Sequence, residues 1–183
     1  RGGLEPVRRE VSEEEAAARD RALMESFEPA LIALQAARAE EGKRLLAVLK
    51  EQLQKVAALA VAARDNPARA PDAIRRRLRD QVARLMETGA SFDEQRLHQE
   101  AMMVATRSDI QEELDRLFSH VEAAGVLLAA GEPVGRKFDF LAQEFNREAN
   151  TLCSKAIDKS LTAIGLDLKT VIDQMREQVQ NIE

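Results

Sequence analysis

The stretch IQEELDRLFSHVEAAGVLL, residues 110–128, decides the fold predicted for this chain. Its apolar side chains recur at intervals of four, three, four, three and four residues, at Ile110, Leu114, Leu117, Val121, Ala124 and Leu128. That spacing places them along one face of an α-helix. Because neither Gly nor Pro occurs between Gly89 and Gly125, we predict one helix over residues 92–130.

Two further helices are predicted after this stretch, over residues 136–155 and 158–182. Their apolar stripes have the narrow spacing of coiled coils. The stripes consist of Phe138, Leu141, Phe145 and Leu152, and of Ile164, Leu168, Val171, Met175, Val179 and Ile182. Such helices need partners, either as antiparallel hairpins within the chain or in other copies of it. We therefore predict self-association through residues 138–152 and 164–182.

The region before residue 65 is also predicted to be helical. Ser12 and Glu15 have the spacing of a capping box, which indicates a helix over residues 13–27. Pro29 predicts a kink or break just before it, and a second helix follows over residues 30–64. Together the two helices would form a long hairpin.

A third helix with four clustered Arg side chains is predicted over residues 72–86, and Ser91 with Glu94 forms a second capping box. We predict three regions along the chain. They are a linker or remnant of a missing amino-terminal domain (residues 1–11), a long helical hairpin region (12–90) and a carboxy-terminal helical domain (91–183).

Composition also favours an all-α protein, built as elongated helical hairpins or a bundle with long coiled-coil-like helices. Aromatic residues make up only 3% of the 183 residues, whereas sheets are enriched in aromatic and β-branched side chains. No apolar run is long enough for a membrane span, so no membrane partner is expected. The single cysteine, Cys153, cannot form an internal disulfide and favours a cytoplasmic location.

The net charge of −5 argues against a general nucleic-acid-binding domain, because such domains are usually basic. Contacts with RNA would have to come from local basic patches or from residues outside this chain. The sequence lacks a Gly-rich phosphate loop, a dinucleotide-binding fingerprint, an HExxH motif and paired CxxC motifs, which excludes the enzyme and zinc-finger classes that depend on them.

Polar side chains occupy another face of the helix that contains the opening stretch. They are Asp109, Glu112, Glu113, Arg116 and His120. His98, Asp109 and His120 are spaced eleven residues apart, close to three whole turns, so they would face nearly the same way. Each interval spans roughly 16 Å of helix. A metal site would therefore need ligands from a neighbouring helix or subunit.

The next helix repeats this arrangement. Glu144 and Glu148 are one turn apart and could hold Mg²⁺ or Mn²⁺, which prefer oxygen ligands. Arg136, Lys137, Arg147 and Lys155 are candidates for contact with RNA phosphates. The structural alternative is that Glu112 with Arg116, and Glu144 with Arg147, form ordinary intrahelical ion pairs.

Several blocks of residues 98–183 share their order and spacing with one protein family. The blocks are RSDIQEELDRL (107–117), SHV (119–121), PVGR (133–136), FDFL (138–141), QEFNREANTL (143–152), SK (154–155) and QMREQVQNIE (174–183). This half of the chain resembles the YicC/YloC family of bacterial endoribonucleases. The resemblance implies a metal-dependent endoribonuclease that assembles as a homo-oligomer, for example a hexamer, and whose amino-terminal domain is largely missing from this chain.

The resemblance and the helical spacing together give a set of candidate site residues. The catalytic candidates are His98, Asp109, Glu113 and His120, and the candidate ligands for Mn²⁺ or Mg²⁺ are Glu112, Glu113, Glu144 and Glu148. The candidate RNA-binding residues are Arg107, Arg116, Arg136, Lys137, Arg147, Asn150 and Lys155. Cleavage would proceed by metal-assisted hydrolysis or by transesterification.

Two other functions stay open from the sequence. One is a non-catalytic helical scaffold for oligomerisation and for binding RNA or a partner, and the other is an adaptor that hands RNA to another nuclease. Because this chain is acidic, we expect it to bind RNA more weakly than an intact family member and to cleave it poorly or not at all. Cleavage assays with Mn²⁺ or Mg²⁺, and then with a chelator, discriminate between these functions.

Overall fold

The computed structural model describes the backbone of residues 12–86, 94–131 and 134–180, with the side chains at 81, 85, 86, 94–98, 100 and 101 outside the described part. Within these ranges every regular element is helical, so the predicted all-α class is confirmed. The helices are α1 (Glu13–Arg64), α2 (Pro71–Met86), α3 (Glu94–Arg107), α4 (Gln111–Ala129), α5 (Gly135–Lys155) and α6 (Lys159–Gln180), with a 3₁₀ turn at Pro67–Arg69. None of the helices in the described ranges is both long and apolar enough to span a bilayer.

Helix α1 begins with the predicted capping box. The backbone N–H of Glu15 donates to Ser12 Oγ at 3.2 Å, and the backbone N–H of Ser12 donates to Glu15 Oε2 at 3.2 Å. The predicted break near Pro29 is wrong, because α1 runs through it as one helix of 52 residues. Proline removes a single backbone donor. Since Glu25 and Pro29 are exposed, water can satisfy the carbonyl left without a partner. Residues 12–64 therefore form one helix and no hairpin.

The chain divides into two compact units, Arg1–Arg44 and Leu45–Glu183. In the first unit the described part is the amino-terminal stretch of α1, and its side chains face solvent. The second unit contains the hydrophobic core, in which α5 packs against both α4 and α6. Leu49, Val56 and Ala60 of α1 are buried in the same core.

The apolar stripes predicted for α5 and α6 form part of this core. Phe138, Phe145 and Leu152 of α5 are fully buried, as are Leu168 and Met175 of α6. The two stripes cover each other within one chain. Cover within one chain is therefore the alternative observed, and self-association through these stripes stays a prediction.

The predicted single helix over residues 92–130 is also wrong. Helix α3 ends at Arg107 and α4 begins at Gln111. Ser108 Oγ donates to the carbonyl of Ala105 at 3.0 Å, and the Asp109 carboxylate accepts the backbone N–H of Gln111 at 2.9 Å. Short polar side chains compete in this way with helical backbone bonding. Because the helix breaks at Asp109, eleven-residue spacing no longer places His98, Asp109 and His120 on one helix face.

The second capping box, Ser91 with Glu94, lies outside the described residues, and so does the side chain of His98. The predicted bounds of α2 and α5 agree with the structure to within one residue. Helix α6 is described as far as Gln180.

Candidate active site

Helices α4 and α5 meet along an antiparallel seam, which we call the α4–α5 seam. From one end to the other, Glu113 faces Lys155, Arg116 faces Glu148, and His120 faces Phe145. Residue numbers rise along α4 as they fall along α5, which defines the antiparallel register. This register brings the polar face of α4 against the polar face of α5.

One cluster on this seam has the composition of a metal site. His120, Glu144 and Glu148 each offer one ligand atom, and these atoms all lie within 4.8 Å of one another. Glu148 is buried, while His120 and Glu144 are half-buried. The edge of the His120 ring meets Phe145 at 80°, with the ring centroids 5.7 Å apart. His120 Nε2 is buried and has no hydrogen-bond partner among the described residues. Packing thus fixes the imidazole and leaves a nitrogen available.

Arg116 is a cation held beside this cluster. Its guanidinium contacts Glu112 one turn earlier on α4 and, through Nη1, reaches Glu148 Oε1 on α5 at 3.3 Å. The hydrogen bond from Arg116 to Glu148 and the charge of Glu112 raise the pKa of the guanidinium. The predicted Glu112–Arg116 pair is therefore present, and Arg116 also partly neutralises the buried Glu148 carboxylate.

Glu113 has a different environment from the other candidate ligands. It is buried, and Lys155 Nζ donates to its Oε1 at 2.8 Å across the seam. Its second oxygen, Oε2, is buried with no partner among the described residues. The carboxylate is thus paired with a lysine and lies outside the group formed by His120, Glu144 and Glu148.

The remaining candidates have varied positions. Asp109 lies just before α4, where its carboxylate accepts the backbone N–H of Gln111, and is at least about two and a half helical turns from His120. Arg107 is exposed at the end of α3, and Arg147 pairs with Glu144 at 3.5 Å. Arg136 and Lys137 are exposed near the start of α5.

Asn150, a candidate for RNA contact, belongs to a hydrogen-bonded chain between helices. It donates to Asn146 Oδ1 at 2.7 Å, and Asn146 donates to Asp173 of α6 at 2.9 Å. Asparagine is a poor helix former, so two asparagines in the middle of a helix indicate a specific hydrogen-bonding role. The structure places that role at the α5–α6 contact.

Two features of the site were missed by reasoning from sequence. His120 was assigned to catalysis and not to the ligand set, although it faces both glutamates of α5. The contact between Arg116 and Glu148 was also missed, because only the register of α4 against α5 reveals it. The available signal was that His120 is the only histidine of α4 and lies on its polar face with Glu113 and Arg116.

Comparison with known proteins agrees with the predicted resemblance. A family model described as "Endoribonuclease YicC-like, C-terminal" matches residues 62–183. The chain belongs to this family. The match covers α2 to α6, the end of α1 and every residue of the α4–α5 seam.

Two relatives extend the similarity to most of the chain. A "Probable endoribonuclease YicC" of Haemophilus influenzae is 38% identical over 174 residues, which cover 95% of this chain and 60% of the relative. A protein of the same name from Clostridioides difficile is 33% identical over 168 residues, which cover 88% of this chain and 55% of the relative. This YicC-like chain thus spans somewhat more than half the length of these relatives.

Proposed function

We propose that this chain carries a metal-dependent endoribonuclease site, which cleaves RNA phosphodiester bonds within a homo-oligomer. The observation that supports the proposal is the group formed by His120, Glu144 and Glu148 on the α4–α5 seam of a YicC-like chain. An imidazole and two carboxylates converging from two helices are the side chains that hold divalent metals in many hydrolytic sites.

The donor set fits Mn²⁺ better than Mg²⁺. Carboxylates suit both ions, but an imidazole ligand favours a softer metal than Mg²⁺, which prefers oxygen and water. His120 Nε2, which is buried and accepts no hydrogen bond from the described part of the chain, fits a ligand nitrogen. A bound ion would polarise a phosphate oxygen and lower the pKa of a coordinated water.

The chain's own residues would bind and orient RNA around this group. Arg116 is half-exposed and holds Glu148 in place, so its free face can contact a phosphate. Arg136 and Lys137 are exposed on α5, where they can contact the backbone of the same strand. Lys155 stays with Glu113 and holds the other end of the seam together.

Self-association is the remaining part of the proposal, and the structure suggests a different surface for it. Large apolar side chains of α1 are exposed in the first unit, among them Leu23, Phe27, Leu31 and Leu34. Their spacing of four, four and three residues forms one helical stripe. We expect light scattering to give a multiple of the 20.3 kDa chain mass. A Phe27→Ser, Leu31→Ser double variant should shift that mass towards the monomer.

The cleavage test compares the wild type with a Glu144→Gln, Glu148→Gln double variant. With Mn²⁺, the wild type should cleave single-stranded RNA at a measurable rate, although more slowly than an intact family member, and a chelator should stop it. The double variant should lose at least about tenfold in rate. Mn²⁺ should also raise the Tm of the wild type but not the Tm of the double variant, because the double variant does not bind the ion. Glu51→Gln, which removes a carboxylate from an exposed ion pair on α1, is the matched control. Equal rates and equal Mn²⁺ binding in both proteins would refute the site.

A non-catalytic scaffold is the second candidate, because both glutamates already have cationic partners. Arg116 contacts Glu148, and Arg147 contacts Glu144 at 3.5 Å. If these pairs are purely structural, Mn²⁺ will leave the Tm unchanged, and the double variant will lose stability equally with and without the ion. The same thermal scans therefore discriminate between the two functions.

A further inference from the structure

The α4–α5 seam continues into an open groove beyond the metal-ligand candidates. The groove has a volume of about 740 Å³ and lies between the second half of α4 and the start of α5. Its walls include two large apolar side chains that are unusually exposed, Phe140 at 61% and Val126 at 66%. Arg136 and Lys137 line the same groove, with Glu122 as its acidic member.

The groove lies next to the cluster of His120, Glu144 and Glu148 along both helices, although none of these three is among its lining residues. Ser119, which lines the groove, directly precedes His120, and Leu141 lies one turn before Glu144. Phe140 and Glu144 are four residues apart on α5, about 6 Å along the helix. A molecule lying in the groove therefore extends towards the cluster along the same seam.

The two cations of the groove differ from the other basic residues of the seam. Arg116, Arg147 and Lys155 each contact a carboxylate. Neither Arg136 nor Lys137 forms an ion pair with any residue in the described ranges, and both are exposed. An exposed aromatic ring beside two such cations is what a single-stranded nucleic acid requires, because its bases stack on aromatic rings and its phosphates bind cations.

We propose that this groove binds single-stranded RNA, with one base stacked on Phe140 and neighbouring phosphates held by Arg136 and Lys137. This inference rests on the proposed function, which makes RNA the substrate. Phe140 is then a positioning residue, which fixes the strand about one helical turn from Glu144. A base in a continuous duplex is stacked on its neighbours and does not offer its face, so the groove selects unpaired segments.

A fluorescent substitution tests the stacking directly. The chain contains neither Trp nor Tyr, so Phe140→Trp introduces a single fluorophore into the groove. In the presence of a chelator, which removes Mn²⁺ and so prevents cleavage, a short single-stranded RNA should quench the fluorescence of this tryptophan. The same strand with abasic nucleotides should quench it much less, although its phosphate charge is equal. Leu166→Trp, at a site on α6 with 54% exposure, is the matched control and should respond to neither strand. Equal quenching by both strands, or none, would overturn the proposal.

Affinity measurements give a second, independent test. Phe140→Ala should weaken binding of single-stranded RNA by about tenfold, while Phe140→Tyr should stay within about twofold of the wild type. Arg136→Ala with Lys137→Ala should reduce the dependence of affinity on salt, since fewer phosphates are neutralised. Leu166→Ala is the control for removal of an exposed apolar side chain.

Light scattering on each variant tests whether the groove binds another copy of the chain instead of RNA. If Phe140→Ala changes the subunit number and leaves RNA affinity intact, the groove binds another copy of the chain, and the proposal fails.

Failure of the stacking is distinguishable from failure of the proposed function. Binding in chelator does not depend on the metal, whereas the Glu144→Gln, Glu148→Gln variant tests cleavage and Mn²⁺ alone. If Phe140→Ala cleaves and binds like the wild type while the double variant is inactive, the nuclease site stands and the stacking does not. If Phe140→Ala loses affinity while the double variant keeps it and the wild type never cleaves, the groove binds RNA in a non-catalytic protein.

Discussion

The two halves of α1 have the same secondary structure but opposite environments. In residues 13–44 every side chain is exposed except Ala16, which is half-buried. In residues 45–64, five apolar side chains on one face are buried, namely Leu49, Leu53, Val56, Ala60 and Ala63. Both halves are rich in Ala, Leu, Glu, Arg and Lys, so both have a high helix propensity.

The contrast separates two sources of stability. Helical hydrogen bonds join residues four apart, so strong helix formers and a capping box specify a helix without any tertiary contact. Most of the stability of a protein helix nevertheless comes from packing its apolar face. Substitutions in residues 13–44 should therefore have small effects, and comparable substitutions in the core should have large ones.

Truncation of a phenylalanine should give the largest difference. Phe145 is fully buried, so Phe145→Ala should lower the free energy of unfolding by about 3–5 kcal/mol. Phe27 is 59% exposed, so Phe27→Ala should change it by less than about 0.5 kcal/mol in dilute protein. Urea titrations followed by circular dichroism measure both values. A large loss for Phe27→Ala in dilute protein would show that residues 13–44 are packed against something in solution.

Loss of a lysine from an ion pair should give the next largest difference. Lys155→Met leaves the buried Glu113 without its cation and should cost about 2 kcal/mol, less than for a fully buried pair because Lys155 is partly exposed. Lys43 forms a pair of similar length with Glu40, but both side chains are exposed. Lys43→Met should cost less than about 0.5 kcal/mol. If chemical denaturation gave equal losses of unfolding free energy for Lys155→Met and Lys43→Met, the contrast between the core and residues 13–44 would be contradicted.

Two glycines should respond with opposite signs. A Cβ at Gly165 would overlap Cys153 Sγ, so Gly165→Ala should destabilise the protein by about 1–3 kcal/mol through overpacking between α5 and α6. A Cβ at Gly42 meets nothing within 4 Å, so Gly42→Ala should stabilise by about 0.5–1 kcal/mol through helix propensity.

A second substitution identifies the cause of the Gly165 effect. Cys153→Ala removes the sulfur atom that the new Cβ would meet, so it should restore part of the stability lost in Gly165→Ala. Thermal unfolding of the two single variants and of the double variant gives the coupling free energy between positions 153 and 165. Purely additive effects would mean that the sulfur contact is not responsible.

The smallest expected effect concerns acid stability. Hydrogen bonds from the side chain and backbone of Ser160, together with Arg77, lower the pKa of Asp158 to about 2 from an ordinary 3.8. A carboxylate with a lowered folded pKa contributes its full stability above about pH 4 and loses it as the pH falls towards 2. Between those pH values the Tm of the wild type should fall further than that of Asp158→Asn. The difference between the two falls should be less than about 4 °C. Asp20→Asn, in the exposed half of α1, is the control and should follow the wild type.

Much of the fold could be predicted from the sequence. Most residues identified by the four-three spacing in α4 and by the stripes of α5 and α6 are buried, because helical periodicity alone determines which side chains share a face. Val121, Ile164 and Val171 are half-buried and pack against the core, and Ile182 lies outside the described residues. The capping box of α1 was equally predictable, since Ser12 and Glu15 are only three residues apart. The errors at Pro29 and at residues 108–110 have one origin. A correct prediction at either place requires weighing one lost or gained backbone hydrogen bond against the helix propensity of the neighbouring residues.

The candidate site was predictable as two halves but not as a whole. Helical spacing identified the acidic and basic faces of α4 and α5, and the family resemblance supplied the idea of a metal. Neither the spacing nor the resemblance showed that Glu113 pairs with Lys155, or that His120 lies in one cluster with Glu144 and Glu148. Those contacts depend on how far one helix is shifted along the other.

The sequence by itself thus determined that this chain forms long helices, which of their faces are apolar, and which family the chain resembles. The first two follow from local spacing and residue identity, which act within about one helical turn. The resemblance follows from the order and spacing of blocks over residues 98–183. Only the tertiary structure decided which carboxylate binds which cation, why Phe140 stays exposed beside Arg136, and which half of α1 enters the core. These outcomes depend on the register and packing of residues far apart in the chain, where a shift of one helical turn would replace every partner.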